Sequence, residues 1–178
     1  MPVIPFKFND KTIAPQLGAH TWLAPDAWVI GDCIVGDNTS LLFGAVVRGD
    51  VMPVRIGSRC NIQDGAIVHT STGRNPAIIE DGVTVGHRAI IHGCTVHANC
   101  IIGMSATILD GAQIGAGSIV GANALVTKNT IVPERSLVLG SPAKVVRSIT
   151  DAEFTEILIS AQHYVEKGLE YQALLPHS

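Results

Sequence analysis

His69, His87 and His92 are three of the seven histidines in a chain of 178 residues. Imidazole both ligates metals and carries protons near neutral pH. Groups of matching chemistry stand nearby: Asn61, Gln63 and Asp64 just upstream of His69, and Arg48 with Asp50 before them. Whether they act together depends on where the backbone points each one. His20, His97, His163 and His177 stand apart from such groups and read as solvated or packed residues.

The backbone is specified by a repeat. Only Val, Leu or Ile occupies positions 29, 35, 41, 47, then 56, 62, 68, then 79, 85, 91, then 96, 102, 108, 114, 120 and 126. Four residues after most of them comes something small, such as Cys33, Thr39, Ala45, Cys60, Ala66, Ala89, Thr95, Cys100, Ala106 or Ser118. A period of six matches no helix, whose apolar positions recur at three and four. It fits a short strand followed by a corner, the unit of a parallel β-helix. Three such sides make one coil, and residues three sides apart stack roughly 4.8 Å from each other. Gly36, Gly57, Gly86, Gly103, Gly115 and Gly121 directly follow an aliphatic. They are expected to supply the unusual φ of the corners.

The sides can be named: A at 41, 62, 85, 102 and 120; B at 29, 47, 68, 91, 108 and 126; C at 35, 56, 79, 96 and 114. Every irregularity then follows a B side: three extra residues before Ile56, five before Ile79 and one missing before Val96. Arg48, His69 and His92 each directly follow a B-side aliphatic, so they form one outward column. His69 and His92 fall on adjacent coils, close enough to share an ion. His87 lies on side A, stacked with Asp64, and faces elsewhere. One prism does not bring the three together; a three-fold assembly does, if side A of one subunit meets side B of the next. Three imidazoles with an open position form a catalytic zinc arrangement, with Zn–N of about 2.0–2.1 Å.

Arg48-Gly49-Asp50, Asn61-Ile62-Gln63-Asp64, His69, Gly86-His87 and His92-Gly93-Cys94 together resemble the γ-class carbonic anhydrase family. The likeness extends over nearly the whole chain, including Gly140-Ser141-Pro142-Ala143-Lys144 and the closing helix. The hexapeptide repeat alone is shared with acyltransferases; the histidine, Asn-x-Gln-Asp and Arg-x-Asp set is more specific. The resemblance implies an all-β solenoid, a left-handed parallel β-helix of triangular coils with a C-terminal α-helix, assembled as a homotrimer. It implies zinc, or another divalent metal such as Fe2+ or Co2+, held by His69 and His92 of one subunit and His87 of the next. The implied reaction is reversible hydration of carbon dioxide to bicarbonate by zinc-activated hydroxide. In it Gln63 orients the hydroxide and Asn61 positions carbon dioxide or bicarbonate. Arg48 and Asp50 form an interface ion pair, while Asp64 holds that network or a histidine's second nitrogen.

This chain also departs from the family. Its best-characterised type carries a glutamate after the Arg-x-Asp aspartate and an acidic loop nearby, which relay protons. Here the first place is Val51, and the loop Thr70–Ala77 has no carboxylate. The departure leaves open a zinc-dependent thioesterase or other acyl-CoA enzyme of the hexapeptide superfamily, and also a catalytically silent scaffold protein.

Composition sets the remaining bounds. A 47% hydrophobic chain of this length makes one domain with a sizeable core, and 18 glycines with 4% aromatics suit a solenoid. The net charge of −3 and the lack of any basic run argue against nucleic acid. No segment is apolar enough to span a membrane, and the N-terminus shows no signal peptide, so a cytoplasmic home is expected. Cys33, Cys60 and Cys100 occupy inward slots, with Cys94 beside one, and read as reduced core residues. Residues 1–28 are read as an N-terminal cap, 29–149 as the β-helix and 150–173 as the helix. Thr150 and Glu153 form a capping box, and Phe154, Ile157, Leu158, Ala161, Tyr164, Val165 and Leu169 recur at helical spacing. Tyr164 has two readings: a packing residue on that face, or, by the resemblance, a side chain reaching the metal pocket.

Overall fold

The computed structural model describes residues 3–8 and 10–175; His177 lies outside the described residues. The repeat forms a parallel β-solenoid of about 7 turns, followed by a single helix. Side A is one sheet, and sides B and C share a second because strands Trp28–Val35 and Val46–Ile56 run through the corner between them. The stacking follows the aliphatic register throughout. Leu41 pairs with Ile62 and Ile62 with Val85 on side A, Val68 with Ile91 on side B, and Ile79 with Val96 on side C. These side chains are almost entirely excluded from water. At roughly 1.5–3 kcal/mol for each buried aliphatic, this column is the main source of stability.

Three details differ from the sequence reading. The coils begin earlier. Leu17 pairs with Val35 and Leu23 with Leu41, so the segment before residue 28 supplies a first coil as well as a cap. At the far end, within the span read as β-helix, Val132 pairs with Ile114 and Val138 with Val120. The glycines after the aliphatics are also not the corners' left-handed residues. Positive φ falls three residues after the aliphatic, at Gly44, Gly65, Arg88, Ser105 and Asn123 on side A. Gly86 and Gly103 are required by crowding instead: a Cβ on Gly103 would lie 2.5 Å from the backbone nitrogen of Ala122 on the next coil. Finally, Cys94 takes the buried slot assigned to Thr95, because the missing residue before Val96 moves that slot by one. All four cysteines are free and buried, and burial pushes the Cys60, Cys94 and Cys100 thiols up to about 12, which keeps them neutral.

The helix spans Asp151–Leu174 and opens with the expected capping box. Thr150 Oγ1 accepts from Glu153 N at 3.2 Å, and Thr150 N donates to Glu153 Oε2 at 2.8 Å. Arg147 forks onto Glu153 at 2.8 Å through both oxygens and, with the Thr150 backbone, lowers its carboxyl to about 2. The helix lies along side A of its own prism. Tyr171 stacks on Trp22 with ring centroids 4.6 Å apart, Gly168 sits over Ser40, and Ile157 and Ala161 are buried. Leu158 and Leu169 stay exposed, so the packed stripe is 157–161–164–168–171 and not the wider face read from spacing. No helix of the described residues is long and apolar enough to cross a membrane.

Candidate metal and catalytic site

The register puts His69 directly opposite His92 on adjacent side-B strands, with ring centroids 5.3 Å apart and planes at 67°. Each ring is held by a carboxylate. His69 Nε2 lies 3.0 Å from Asp50 Oδ1, and Asp50 also pairs with Arg48. His92 Nδ1 lies 3.3 Å from Asp110 Oδ1, and Lys128 Nζ stands 3.8 Å from that same carboxylate. Asp110 was not singled out from the sequence. Its signal was present: it follows Ile108 by two, as Gly93 follows Ile91. The missing side chain of Gly93 leaves the room through which Asp110 reaches back to His92.

The local electrostatics favour a neutral imidazole beside a charged carboxylate. Burial lowers the His69 pKa, against the opposing hydrogen bond with the Asp50 carboxylate. Burial would raise the Asp50 pKa, yet its hydrogen bonds to His69 and Arg48 together leave it below the ordinary value. Neutral imidazole is the form that ligates a metal.

His87 is on the other face. Its Nδ1 lies 2.7 Å from Asp64 Oδ2, and both side chains are partly exposed. It borders an open cavity of about 290 Å³ lined also by Gln63, Thr84, Met104 and Tyr164. Within that wall Gln63 Nε2 donates to Asn61 Oδ1 at 3.0 Å, and Asn61 Nδ2 donates to Thr84 Oγ1 at 2.9 Å. Asn61 is fully buried, with both ends of its amide engaged. Tyr164 is half-buried against the core at the cavity edge; burial, then the Asp64 charge, raises its pKa. Thr84 and Ser160, which touch each other at 3.4 Å, were not among the residues read from sequence.

The candidates therefore fall into two groups: Arg48, Asp50, His69 and His92 on side B, and Asn61, Gln63, Asp64, His87 and Tyr164 on side A or on the helix packed along it. Among the described residues, no single-chain group of three His, Cys, Asp or Glu side chains is disposed to hold a metal ion. The donor chemistry of the three histidines suits a metal ion. Each of the three imidazoles has one nitrogen turned to a carboxylate, and His69 Nδ1, His92 Nε2 and His87 Nε2 have no hydrogen-bond partner among the described residues. A carboxylate on the second nitrogen is the usual support of a metal-ligating histidine. His97, by contrast, is tied to Glu80 at 2.9 Å on side C, remote from both groups.

Known proteins resemble this chain over most of its length. Residues 93–128 match the family model for bacterial transferase hexapeptide repeats, and residues 76–104 that for the hexapeptide repeat of succinyl-transferase. A carbonic anhydrase of Geobacillus kaustophilus is 52% identical, across 95% of this chain and 91% of its own length. The mitochondrial γ carbonic anhydrase 2 of Arabidopsis thaliana is 42% identical over 85% of this chain, which spans 56% of that protein. A solved structure from Bacillus cereus, provisionally assigned as an acetyltransferase, superposes with a TM-score of 0.91 at 38% identity, covering 98% of this chain and 99% of its own. The chain belongs to the γ-class carbonic anhydrase family of hexapeptide-repeat β-solenoids.

Proposed function

We propose that the protein is a metal-dependent carbonic anhydrase that interconverts carbon dioxide and bicarbonate, with zinc or another divalent ion held between subunits of a homotrimer. His69 and His92 of one subunit and His87 of the next are the ligands. The observation that carries this reading is the division of three carboxylate-held imidazoles between two faces of one prism, each face incomplete by itself. When bound, such an ion lowers the pKa of water to about 7 and so makes hydroxide available at neutral pH. Asp50, Asp64 and Asp110 orient the three rings. Gln63, whose amide nitrogen is engaged by Asn61, offers its carbonyl oxygen to the attacking group. Tyr164 closes one edge of the cavity and presents a phenol there. With Val51 in place of a relay carboxylate, protons leave through external buffer.

A second reading, acyl transfer or thioester cleavage on an acyl-CoA, is supported by the likeness to the Bacillus cereus protein and by the His87–Asp64 pair, which has the form of a general base. Metal analysis, light scattering and stopped-flow hydration on the metal-replete protein separate the two. The expected result is a trimer with one metal per chain, hydration activity, and loss of metal in His87→Ala as severe as in His69→Ala. A stable monomer carrying a full complement of metal, or acyl-CoA turnover by metal-free protein without hydration, overturns the first reading.

A further inference from the structure

Resting on the carbon dioxide–bicarbonate reading of this site, we propose that its cavity continues into a groove for the alkyl chain of a short aliphatic carboxylate, which competes there with bicarbonate. The groove follows from the register of side A. Leu41, Ile62, Val85, Ile102 and Val120 are stacked, so the residues directly after them form a column of Leu42, Gln63, Gly86, Gly103 and Gly121. Side chains in that column stop at Gln63, and the bare backbone of Gly86 and Gly103 floors the next two coils of the cavity. Thr84 and Ile101, paired on adjacent coils, flank this floor on one side, and His87 and Met104 flank it on the other. Tyr164 on the helix borders it.

Polarity changes along the groove within one coil. Gln63, Thr84 and His87 surround its head, whereas Ile101 and Met104 lie one coil further on. The cavity volume of about 290 Å³ is about ten times the share of one water in the liquid, about 30 Å³. Carbon dioxide and bicarbonate are far smaller and leave the Ile101–Met104 end unfilled. Bicarbonate is itself a carboxylate that bears a hydroxyl, so an alkyl chain in place of that hydroxyl keeps the head and adds a tail. With the head beside Gln63 and His87, the tail lies over the glycines against Ile101 and Met104. Met104 is 55% exposed, and its unbranched, polarisable side chain adapts to tails of different length. Further aliphatic surface comes with the other two imidazoles. Ile67 and Ile90 each stand two residues before His69 and His92 on the same outward face, in register with each other. A subunit that brings those imidazoles to His87 roofs the groove with them.

The test titrates acetate, propionate, butyrate and pentanoate into the metal-replete assembly, read by inhibition of hydration and by methyl NMR. The chain has three methionines, so a carbon-13 methyl label gives a Met104 signal that the Met104→Gln spectrum identifies. Each added methylene is expected to tighten binding about two- to fourfold, the upper figure corresponding to full burial. The Met104 signal should shift saturably over the same concentrations. Met104→Gln and Ile101→Thr keep similar shapes while adding polar atoms, and should flatten the series to less than about twofold per methylene. Met104→Gln decides alone if Ile101→Thr does not fold, because Met104 is exposed. Equal affinities along the wild-type series, or a Met104 signal that stays in place, overturn the proposal: the groove is then filled by the neighbouring subunit. A graded Met104 response in a protein without hydration activity supports the groove and refutes the reaction, and hydration activity with a flat series does the reverse.

Discussion

Tyr164 shows how one side chain can satisfy two descriptions. It packs against the core and it borders the cavity that holds His87 and Gln63. Its ring stands edge-on to His163 with centroids 5.6 Å apart, and its pKa is raised by burial and by the Asp64 charge, so the phenol stays protonated through neutral pH. Packing belongs to the ring and chemistry to the hydroxyl, so two substitutions separate them. If the hydroxyl works in the cavity, Tyr164→Phe lowers the hydration rate and leaves the melting temperature nearly unchanged. Tyr164→Ala removes the ring as well and is expected to cost stability, up to about 3–5 kcal/mol if its half-buried site behaves as a full core position. An unaltered rate in Tyr164→Phe assigns the residue to packing alone. The sequence could not choose between these roles, since helical spacing fixes the face of a residue and not what its tip meets.

At the scale of the coil, two kinds of glycine look alike in the sequence and differ in physics. Gly44 has φ of +67° with nothing nearer than 3.8 Å to a built Cβ, so its cost to an alanine is conformational. Gly103 has ordinary φ, but a Cβ there would meet three backbone atoms of the next coil between 2.5 and 2.8 Å. Backbone on a stacked coil does not step aside as a flexible side chain would. Gly44→Ala should therefore cost about 1–2 kcal/mol, and Gly103→Ala about 3 kcal/mol or more, in denaturant titrations. Equal costs would show that the coils can separate locally. The repeat made the three sides and the stacking register from Val29 to Val126 legible, because a period of six broken only after B sides leaves a single way to keep the aliphatics inward. It did not reveal where positive φ falls, since Arg88, Ser105 and Asn123 take that position without glycine. Nor did it reveal the first coil, where Leu17 and Leu23 keep the period amid residues read as a cap.

At the scale of the whole molecule, the two groups pose a question of assembly. The separation of His87 from His69 and His92 was legible because the side on which a residue sits follows from counting sixes. The carboxylate on His92 and the hydroxyls behind Asn61 were not, because they depend on how side chains bend back across neighbouring coils. If each centre draws ligands from two subunits, a lesion on one face can be complemented by an intact copy of that face on a neighbour. His69→Ala and His87→Ala homotrimers should each fail to retain metal. Mixed by subunit exchange, they should regain it at those interfaces where an intact His69–His92 pair meets an intact His87. Random mixing of equal amounts gives about one interface in four that is intact on both sides, so metal and hydration rate should recover to about a quarter of wild type. Mixing His69→Ala with His92→Ala should recover nothing, since those two rings belong to one face of one chain. Recovery in the second mixture, or none in the first once exchange is verified by mass, would mean that the metal is held within a single prism.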